Sequence, residues 1–281
     1  MGVDGLMGLL DSEFPDPDAT RNGPVRRLVY KSYRRNVAID GHLFVQALLY
    51  VKHGPGAKVT NDRGETTWHL QGTMKRVLEM LEAGIFPIFV FRREFVTATR
   101  GRRTEDVAAL AAATAANDGK KIDSIARRAL SVTSEQIEEC KELLRLMGLP
   151  VIESPGDPLA QCAELANKGV VHATATEDMR ALAFNSPFVL RNLTRSQADN
   201  TKKEPLIEIN LKEVLKGLGL PLKEFVDLCI LCGCHNCPSP VEKIKPKTGA
   251  CVLRIFRRSC SDAHQPTFPP SSHPTPTQPC H

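Results

Sequence analysis

Short apolar segments that alternate with helical segments constrain the fold of this chain more than any other feature. Residues 37–40 and 87–91 are strand-forming runs, and a segment with apolar residues at helical spacing follows the first of them. Residues 150–153 and 170–176 repeat the strand pattern further along the chain. Strands that alternate with helices are typical of an α/β domain, so we predict a mainly parallel sheet flanked by helices.

Helical periodicity and capping signals predict the segments between these strands. Helices are expected over residues 42–53, 66–83 and 157–168. Thr133-Ser134-Glu135-Gln136 is a capping box at the start of a further helix. Residues 206–211 are expected to add a strand, followed by two helices that end near Cys232.

Composition indicates a globular protein with no membrane association. Of 281 residues, 25% are charged and 42% hydrophobic, and no apolar run approaches the roughly 20 residues that a membrane span needs. The nine cysteines, without a secretory signal, are typical of reduced intracellular thiols. A net charge of +5 permits a polyanionic partner. We expect a monomer.

Three aspartates stand at or just beyond the ends of predicted strands. Asp40 and Asp178 follow two of them, and Asp157 begins the helix after a third. Carboxyl ends of parallel strands gather functional groups, and hard cations such as Mg²⁺ take oxygen ligands. An aspartate at a strand end can equally be a helix cap or a turn residue. Arg180 lies two residues beyond Asp178, where strand periodicity would put it on the same side.

Several longer motifs resemble those of the flap endonuclease family of structure-specific 5′ nucleases. They are MGVDGL, VAID, GETTWHLQG, LEAGIFPIFVF, ECKELLRLMGLPV, ATEDM and EFVDLCIL, which run in family order over residues 1–255. The resemblance implies a PIN-like 5′ nuclease fold with a helical arch insertion and a truncated helix-hairpin-helix end. It also implies Mg²⁺-dependent 5′-flap endonuclease and 5′–3′ exonuclease activity on DNA, in replication and repair in the nucleus.

The resemblance divides the chain into regions. Residues 1–105 correspond to the N-terminal nuclease region, with the arch insertion over 92–131, and residues 132–235 correspond to the internal nuclease region. Residues 236–260 are expected to be a remnant of the helix-two-turn-helix element that binds DNA. Residues 261–281 contain six prolines and are expected to be disordered.

The family holds two Mg²⁺ ions with about seven acidic residues, and this chain keeps only part of that set. Asp40 and Asp178 match family ligands, and Asp157 is a shorter carboxylate at a glutamate position. The four other positions that can be matched carry residues that are poor ligands for Mg²⁺: Arg92, Leu159, Arg180 and His235. We therefore expect nuclease activity to be lost or severely impaired. The alternative is a residually active flap endonuclease that uses the three retained aspartates.

The family's DNA contacts are also only partly matched. The matching positions are Gly2, Lys52, Arg76, Lys243, Lys245 and Lys247. The three lysines stand where the family has a Gly-Ile-Gly hairpin, and they could meet phosphates through charge alone. Lys52 and Arg76 could equally be solvated helix residues. Binding to a sliding clamp is not expected, because nothing like the family's clamp-binding motif occurs in the sequence.

A zinc site is the less favoured alternative class. Cys229 and Cys232 form one C-x₂-C pair, Cys234 and Cys237 form a second, and His235 lies between the cysteines of the second pair. The first pair falls within an apolar predicted helix, and one residue between the two pairs is too few for the chain to fold back. A purely structural relic of the family is the remaining alternative.

Overall fold

The computed structural model describes residues 3, 5–14, 24–28, 33–49, 67–93, 132–193, 205–233 and 249. Within these ranges, seven strands form one sheet, in the order β1-β7-β6-β5-β2-β3-β4. The strands are β1 (Val25–Leu28), β2 (Asn36–Asp40), β3 (Phe86–Arg92), β4 (Val151–Ser154), β5 (Ala173–Ala175), β6 (Phe188–Arg191) and β7 (Leu206–Asn210).

Strands β4, β3, β2, β5 and β6 are mutually parallel, β7 pairs antiparallel with β6, and β1 pairs antiparallel with β7 at the edge of the sheet. The predicted α/β class and mainly parallel sheet are therefore confirmed. The helices in the same ranges are α1 (Leu6–Glu13), α2 (Gly41–Leu49), α3 (Trp68–Glu82), α4 (Ser134–Leu146), α5 (Pro158–Asn167), α6 (Arg180–Ala183), α7 (Leu211–Leu218) and α8 (Leu222–Cys232).

Alternate residues of the central strands point to opposite faces of the sheet, and helices cover both faces. Val37 and Ile39 of β2 pack with residues of α2, α3 and α4. Ala38 packs on the other face with Cys162 and Ala166 of α5. Because the central strands are buried on both faces, they are continuous apolar runs in the sequence.

The predicted capping box is present at the start of α4. The Thr133 side chain accepts a hydrogen bond from the Gln136 backbone N–H, and the Gln136 side chain accepts one from the Thr133 N–H. Four elements were not predicted: α1, β1, β6 and α6. The strand expected over residues 170–176 is shorter in the structure, because β5 spans only Ala173–Ala175. Arg180 begins helix α6 and does not continue a strand.

The predicted tail and, apart from residues 92 and 93, the predicted arch insertion lie outside the described residues, and Arg92 is the last residue of β3. Nearly all of the predicted helix-two-turn-helix remnant also lies outside them, and only its Gly249 is described. No helix within the described ranges is both long enough and apolar enough to cross a membrane.

Candidate active site

Asp40, Asp157 and Asp178 lie at the carboxyl edge of the parallel strands, and each lies one or two residues before the first residue of a helix. Asp40 is the last residue of β2 and precedes α2, Asp157 is the N-cap of α5, and Asp178 lies between β5 and α6. Carboxyl ends of neighbouring parallel strands meet at one edge of a sheet, so the strand order brings the three residues together. We call this region the aspartate edge.

The carboxylate of Asp40 is buried and held by the first turn of α2. Its Oδ1 accepts hydrogen bonds from the backbone N–H of His42 (2.9 Å) and of Leu43 (3.1 Å). Burial raises the pKa of Asp40 to about 7, and the negative charges of Asp157 and Asp178 act in the same direction, whereas the two backbone N–H groups oppose the shift. The electrostatic coupling indicates that the three carboxylates share one environment.

Asp157 caps α5 in the manner predicted for a residue before a helix. Its Oδ1 accepts a hydrogen bond from the Leu159 backbone N–H (2.9 Å), and Pro158 occupies the first helical turn, where its missing N–H costs nothing. The second carboxylate oxygen, Oδ2, faces Arg180, whose Nη1 lies 3.2 Å away.

Arg180 forms the most extensive set of contacts at the aspartate edge. Its backbone N–H donates to Oδ1 of Asp178 (2.9 Å), and its Nε donates to Oδ2 of the same carboxylate (2.9 Å). Its Nη2 lies 2.8 Å from that Oδ2. With Nη1 on Asp157, one guanidinium therefore bridges two aspartates from different loops.

Arg180 lies beside Asp178 through a local turn and not through strand periodicity. Strand periodicity does not apply beyond Ala175, where β5 ends. Asp178 instead accepts the N–H of Arg180 two residues on, a local turn that aspartate favours, and this turn directs the arginine side chain back onto the carboxylate. The guanidinium thus points into the site.

Arg92 ends β3 and lies beside the loop that carries Asp157. Its Nε donates to the backbone carbonyl of Gly156 (3.2 Å). Burial lowers the pKa of the neighbouring His42 to about 4, and the positive charges of Lys141 and Arg92 contribute to the same shift. His42 is therefore neutral at physiological pH.

Leu159 has no exposed surface and belongs to a hydrophobic cluster with residues of α1, α6, α7 and α8. Its position at the start of α5 is close to the aspartate edge in sequence, but its side chain is part of the core. A carboxylate introduced at position 159 would therefore destabilise the fold unless a cation or a hydrogen-bond donor paired with it, because a buried charge needs a partner.

Two residues that support the site were not identified from the sequence. Thr176 accepts a hydrogen bond at Oγ1 from the backbone N–H of Asp178 (3.0 Å), and Gly156 accepts the bond from Arg92. A threonine two residues before an aspartate after a strand is a recognisable turn signal. Glu177, by contrast, faces away, and its carboxylate accepts hydrogen bonds from Asn192 and Arg191.

Among the predicted DNA contacts, only Arg76 lies within the described residues, and it is buried rather than exposed. Its side chain is held on α3 by Glu79 (2.8 Å) and by the backbone carbonyl of Leu193 (3.2 Å). Arg76 is therefore not a solvent-exposed helix residue, and a phosphate could bind its guanidinium only after these contacts were broken. The other predicted positions lie outside the described residues: Gly2, Lys52, Lys243, Lys245 and Lys247, and His235, which the resemblance placed at a ligand position.

We expect Arg76→Ala to lower the free energy of unfolding by about 2 kcal/mol, because it leaves a buried carbonyl and Glu79 without their donor. Urea unfolding followed by circular dichroism measures this change. Lys75→Ala, at the exposed neighbouring position on α3, is the matched control and is expected to leave stability unchanged. A variant Arg76→Ala that is as stable as the parent but binds duplex DNA more weakly would contradict the structural role.

The described half of the alternative zinc motif is buried in the core. Cys229 and Cys232 lie in α8 and pack in the same hydrophobic cluster as Leu159. Cys234, His235 and Cys237 lie outside the described residues. Within the part of the chain that the structure describes, no group of three histidine, cysteine, aspartate or glutamate side chains is arranged to hold a metal ion.

Comparison with known proteins agrees with the resemblance seen in the motifs. Residues 1–106 match the model of the XPG N-terminal domain, and residues 148–235 match that of the XPG I-region. The chain is 39% identical over 283 aligned residues to flap endonuclease 1 of Nematostella vectensis, covering 98% of this chain and 72% of that protein.

Solved structures give the same result for the fold. The flap endonuclease-1 structure from Methanococcus jannaschii is 27% identical with a TM-score of 0.63, over 89% of this chain and 80% of that one. The catalytic core of Rad2 in complex with DNA substrate, at 21% identity, shares the fold with a TM-score of 0.60, over 94% of this chain and 76% of that one. The sheet and its helices thus define a PIN-like 5′ nuclease fold. The chain belongs to the flap endonuclease family.

Proposed function

We propose that this chain is a DNA-binding member of the flap endonuclease family that acts in the nucleus, in DNA replication or repair, and whose Mg²⁺-dependent nuclease activity is lost or severely impaired. The observation that carries the proposal is the guanidinium of Arg180, which bridges Asp157 and Asp178. The DNA substrate in the Rad2 complex and the flap endonuclease relatives support DNA as the partner.

The residues present do not fit a pair of Mg²⁺ ions. Both oxygens of Asp178 already accept hydrogen bonds from Arg180, and Asp157 offers its oxygens to Leu159 and Arg180. A divalent ion would have to displace a group that carries a permanent positive charge. Hard cations need several oxygen ligands, and Leu159 and Arg92 supply none.

The low net negative charge of the aspartate edge also disfavours binding of two Mg²⁺ ions. The three aspartates carry at most three negative charges, and Arg92 and Arg180 carry two positive ones, which leaves a formal charge of about −1. Two unit charges 4 Å apart interact by about 4 kcal/mol at an effective dielectric of about 20, and a divalent ion is repelled by a guanidinium about twice as strongly.

The residues at the aspartate edge can contact DNA, but they lack the metal ligands that a two-metal hydrolysis of a phosphodiester uses. Such a reaction needs two cations to stabilise the attacking and the leaving oxygen of the phosphodiester. Here Arg180 is held between carboxylates and Arg92 is held at Gly156. The proposal therefore separates DNA binding from cleavage.

Incubation of the purified chain with a labelled 5′-flap duplex and Mg²⁺ tests the proposal. We expect no cleavage that depends on Asp178, so that the parent and Asp178→Ala give the same background. An active flap endonuclease relative, assayed in parallel, shows that the substrate and conditions are competent. Cleavage by the parent that Asp178→Ala abolishes would contradict the proposal and favour the alternative, a residually active enzyme that uses Asp40, Asp157 and Asp178.

A further inference from the structure

A groove of about 490 Å³ lies at the amino-terminal ends of the parallel strands, opposite the aspartate edge. Residues 34–36 at the start of β2, the segment 169–172 before β5, and the start of β6 form its walls. This volume is within the range of peptide and small-ligand sites. We call it the Arg34–Arg35 groove.

Two adjacent arginines give the groove a positive charge. Arg34 and Arg35 are both exposed, and no carboxylate of the described residues forms an ion pair with either of them. The nearby buried carboxylate of Glu208 is already engaged by Arg26 (3.4 Å) and His172 (3.3 Å). The positive charge of the two guanidinium groups therefore remains available to an anionic ligand.

The backbone fixes Arg34 in an uncommon conformation. Its φ of 40° lies in the left-handed region, which residues other than glycine adopt rarely and at a cost in free energy. The side chain lies over Gly84, where a Cβ would come within 2.9 Å of Cγ of Arg34. A glycine at this point thus leaves room for the arginine stem, and the position of Arg34 is determined by its surroundings.

Apolar side chains accompany the two arginines. Val170, which lines the groove, is 54% exposed, and Phe86, whose backbone N–H donates to the Arg35 carbonyl, is 56% exposed. Inside the groove the ring of Phe188 is stacked on His172, with ring centroids 4.6 Å apart. Arginine together with aromatic and aliphatic surface is characteristic of protein–protein contacts, whereas phosphate-backbone contacts rest on charge without apolar surface.

We propose that the Arg34–Arg35 groove binds an acidic peptide segment of a partner protein, with carboxylates at the arginines and an apolar side chain against Val170. Charge complementarity selects the acidic ligand, and the exposed apolar surface selects a peptide over a nucleic acid. Because the groove and the aspartate edge are at opposite ends of the strands, this partner can bind while DNA occupies the other end. The proposal is independent of whether the nuclease is active.

A fluorescein-labelled peptide of about twelve residues, rich in aspartate and glutamate with two central phenylalanines, is the probe. Fluorescence anisotropy is expected to show binding to the parent. Arg34→Glu/Arg35→Glu should weaken it about tenfold or more. Lys212→Glu/Lys223→Glu, which makes the same change in charge at exposed positions of α7 and α8, should leave it unchanged. Replacing the two phenylalanines of the peptide by serine should also weaken binding.

Two further arms decide between ligand classes. A peptide in which lysines replace the acidic residues is expected not to bind, and single-stranded DNA of similar length is expected to bind both double variants equally. The proposal is overturned if the parent does not bind the acidic peptide, or if both double variants bind it alike. It is also overturned if the two double variants differ in their binding of single-stranded DNA but not in their binding of the acidic peptide.

Discussion

Arg180→Ala is expected to lower the free energy of unfolding by about 3 kcal/mol or more at neutral pH in the absence of divalent ions. The side chain of Asp178 is 2% exposed, and removal of the guanidinium leaves this carboxylate buried without its counter-charge. Asp157 loses its ion pair at the same time. Urea unfolding in the presence of a chelator measures this loss of stability. Arg180→Lys keeps the positive charge without the bridging geometry, so its free energy of unfolding is expected to lie between those of the parent and Arg180→Ala.

Mg²⁺ should then distinguish Arg180→Ala from the parent. A cation that binds only the folded state stabilises it, so millimolar Mg²⁺ is expected to restore part of the loss in the variant and to leave the parent unchanged. Arg191→Ala is the matched control, because Arg191 pairs with the neighbouring Glu177 away from the aspartate edge. Equal stabilisation of the parent and all variants by Mg²⁺ would show that Arg180 does not take the place of a metal ion.

Restoring four carboxylates is expected to rebuild flap cleavage. The change combines Arg92→Asp, Leu159→Glu, Arg180→Asp and His235→Asp, and cleavage of a 5′-flap duplex with Mg²⁺ should rise by about three orders of magnitude or more over the parent. Either arginine reversal alone should give little cleavage, because the mechanism needs both ions together. Single-turnover assays with a labelled flap measure the rates.

The position of Leu159 in the core adds a condition to this experiment. A glutamate at position 159 replaces a fully buried side chain, so the quadruple variant is expected to be unstable without Mg²⁺ and to gain stability when the ion is added. The control adds Asp178→Ala to the quadruple variant and should abolish the recovered activity. A quadruple variant that folds with Mg²⁺ and binds flap DNA but cleaves no faster than the parent would contradict loss of ligands as the cause of the proposed inactivity.

The sheet could be predicted from the sequence where the strands are buried on both faces. Residues 37–39 and 87–91 are continuous apolar runs, and both lie in central strands. Strand β1 is not predicted because the charged Arg26 and Arg27 break its apolar pattern, whereas β6 is not predicted although Phe188–Arg191 begins with an apolar run. Their pairing depends on contacts with β7 and β5 that are distant in sequence.

The sequence predicts which residues gather at the aspartate edge but not the ion pairs and hydrogen bonds that they form. The motifs assign Arg180 to a ligand position, and the strand ends bring the three aspartates to one edge. The bridge from Arg180 to Asp157 joins residues 23 positions apart, and it depends on the helical turn at Arg180, which strand periodicity does not anticipate. The burial of Arg76 was not foreseen because its contact with Leu193 spans 117 positions.

The three aspartates at the strand ends have a second role that needs no metal, since each accepts backbone N–H groups at the start of a helix. Asp157 caps α5, and aspartate is among the best helix N-caps. Arg92, Leu159 and Arg180, at three of the proposed substituted ligand positions, contribute an internal hydrogen bond, core volume and an ion pair. Under the proposed loss of activity, this pattern is that of a stability–activity trade-off resolved in favour of folding. On that proposal, the chain keeps the aspartates that its helices need and carries at the other positions residues whose contacts do not require a metal ion.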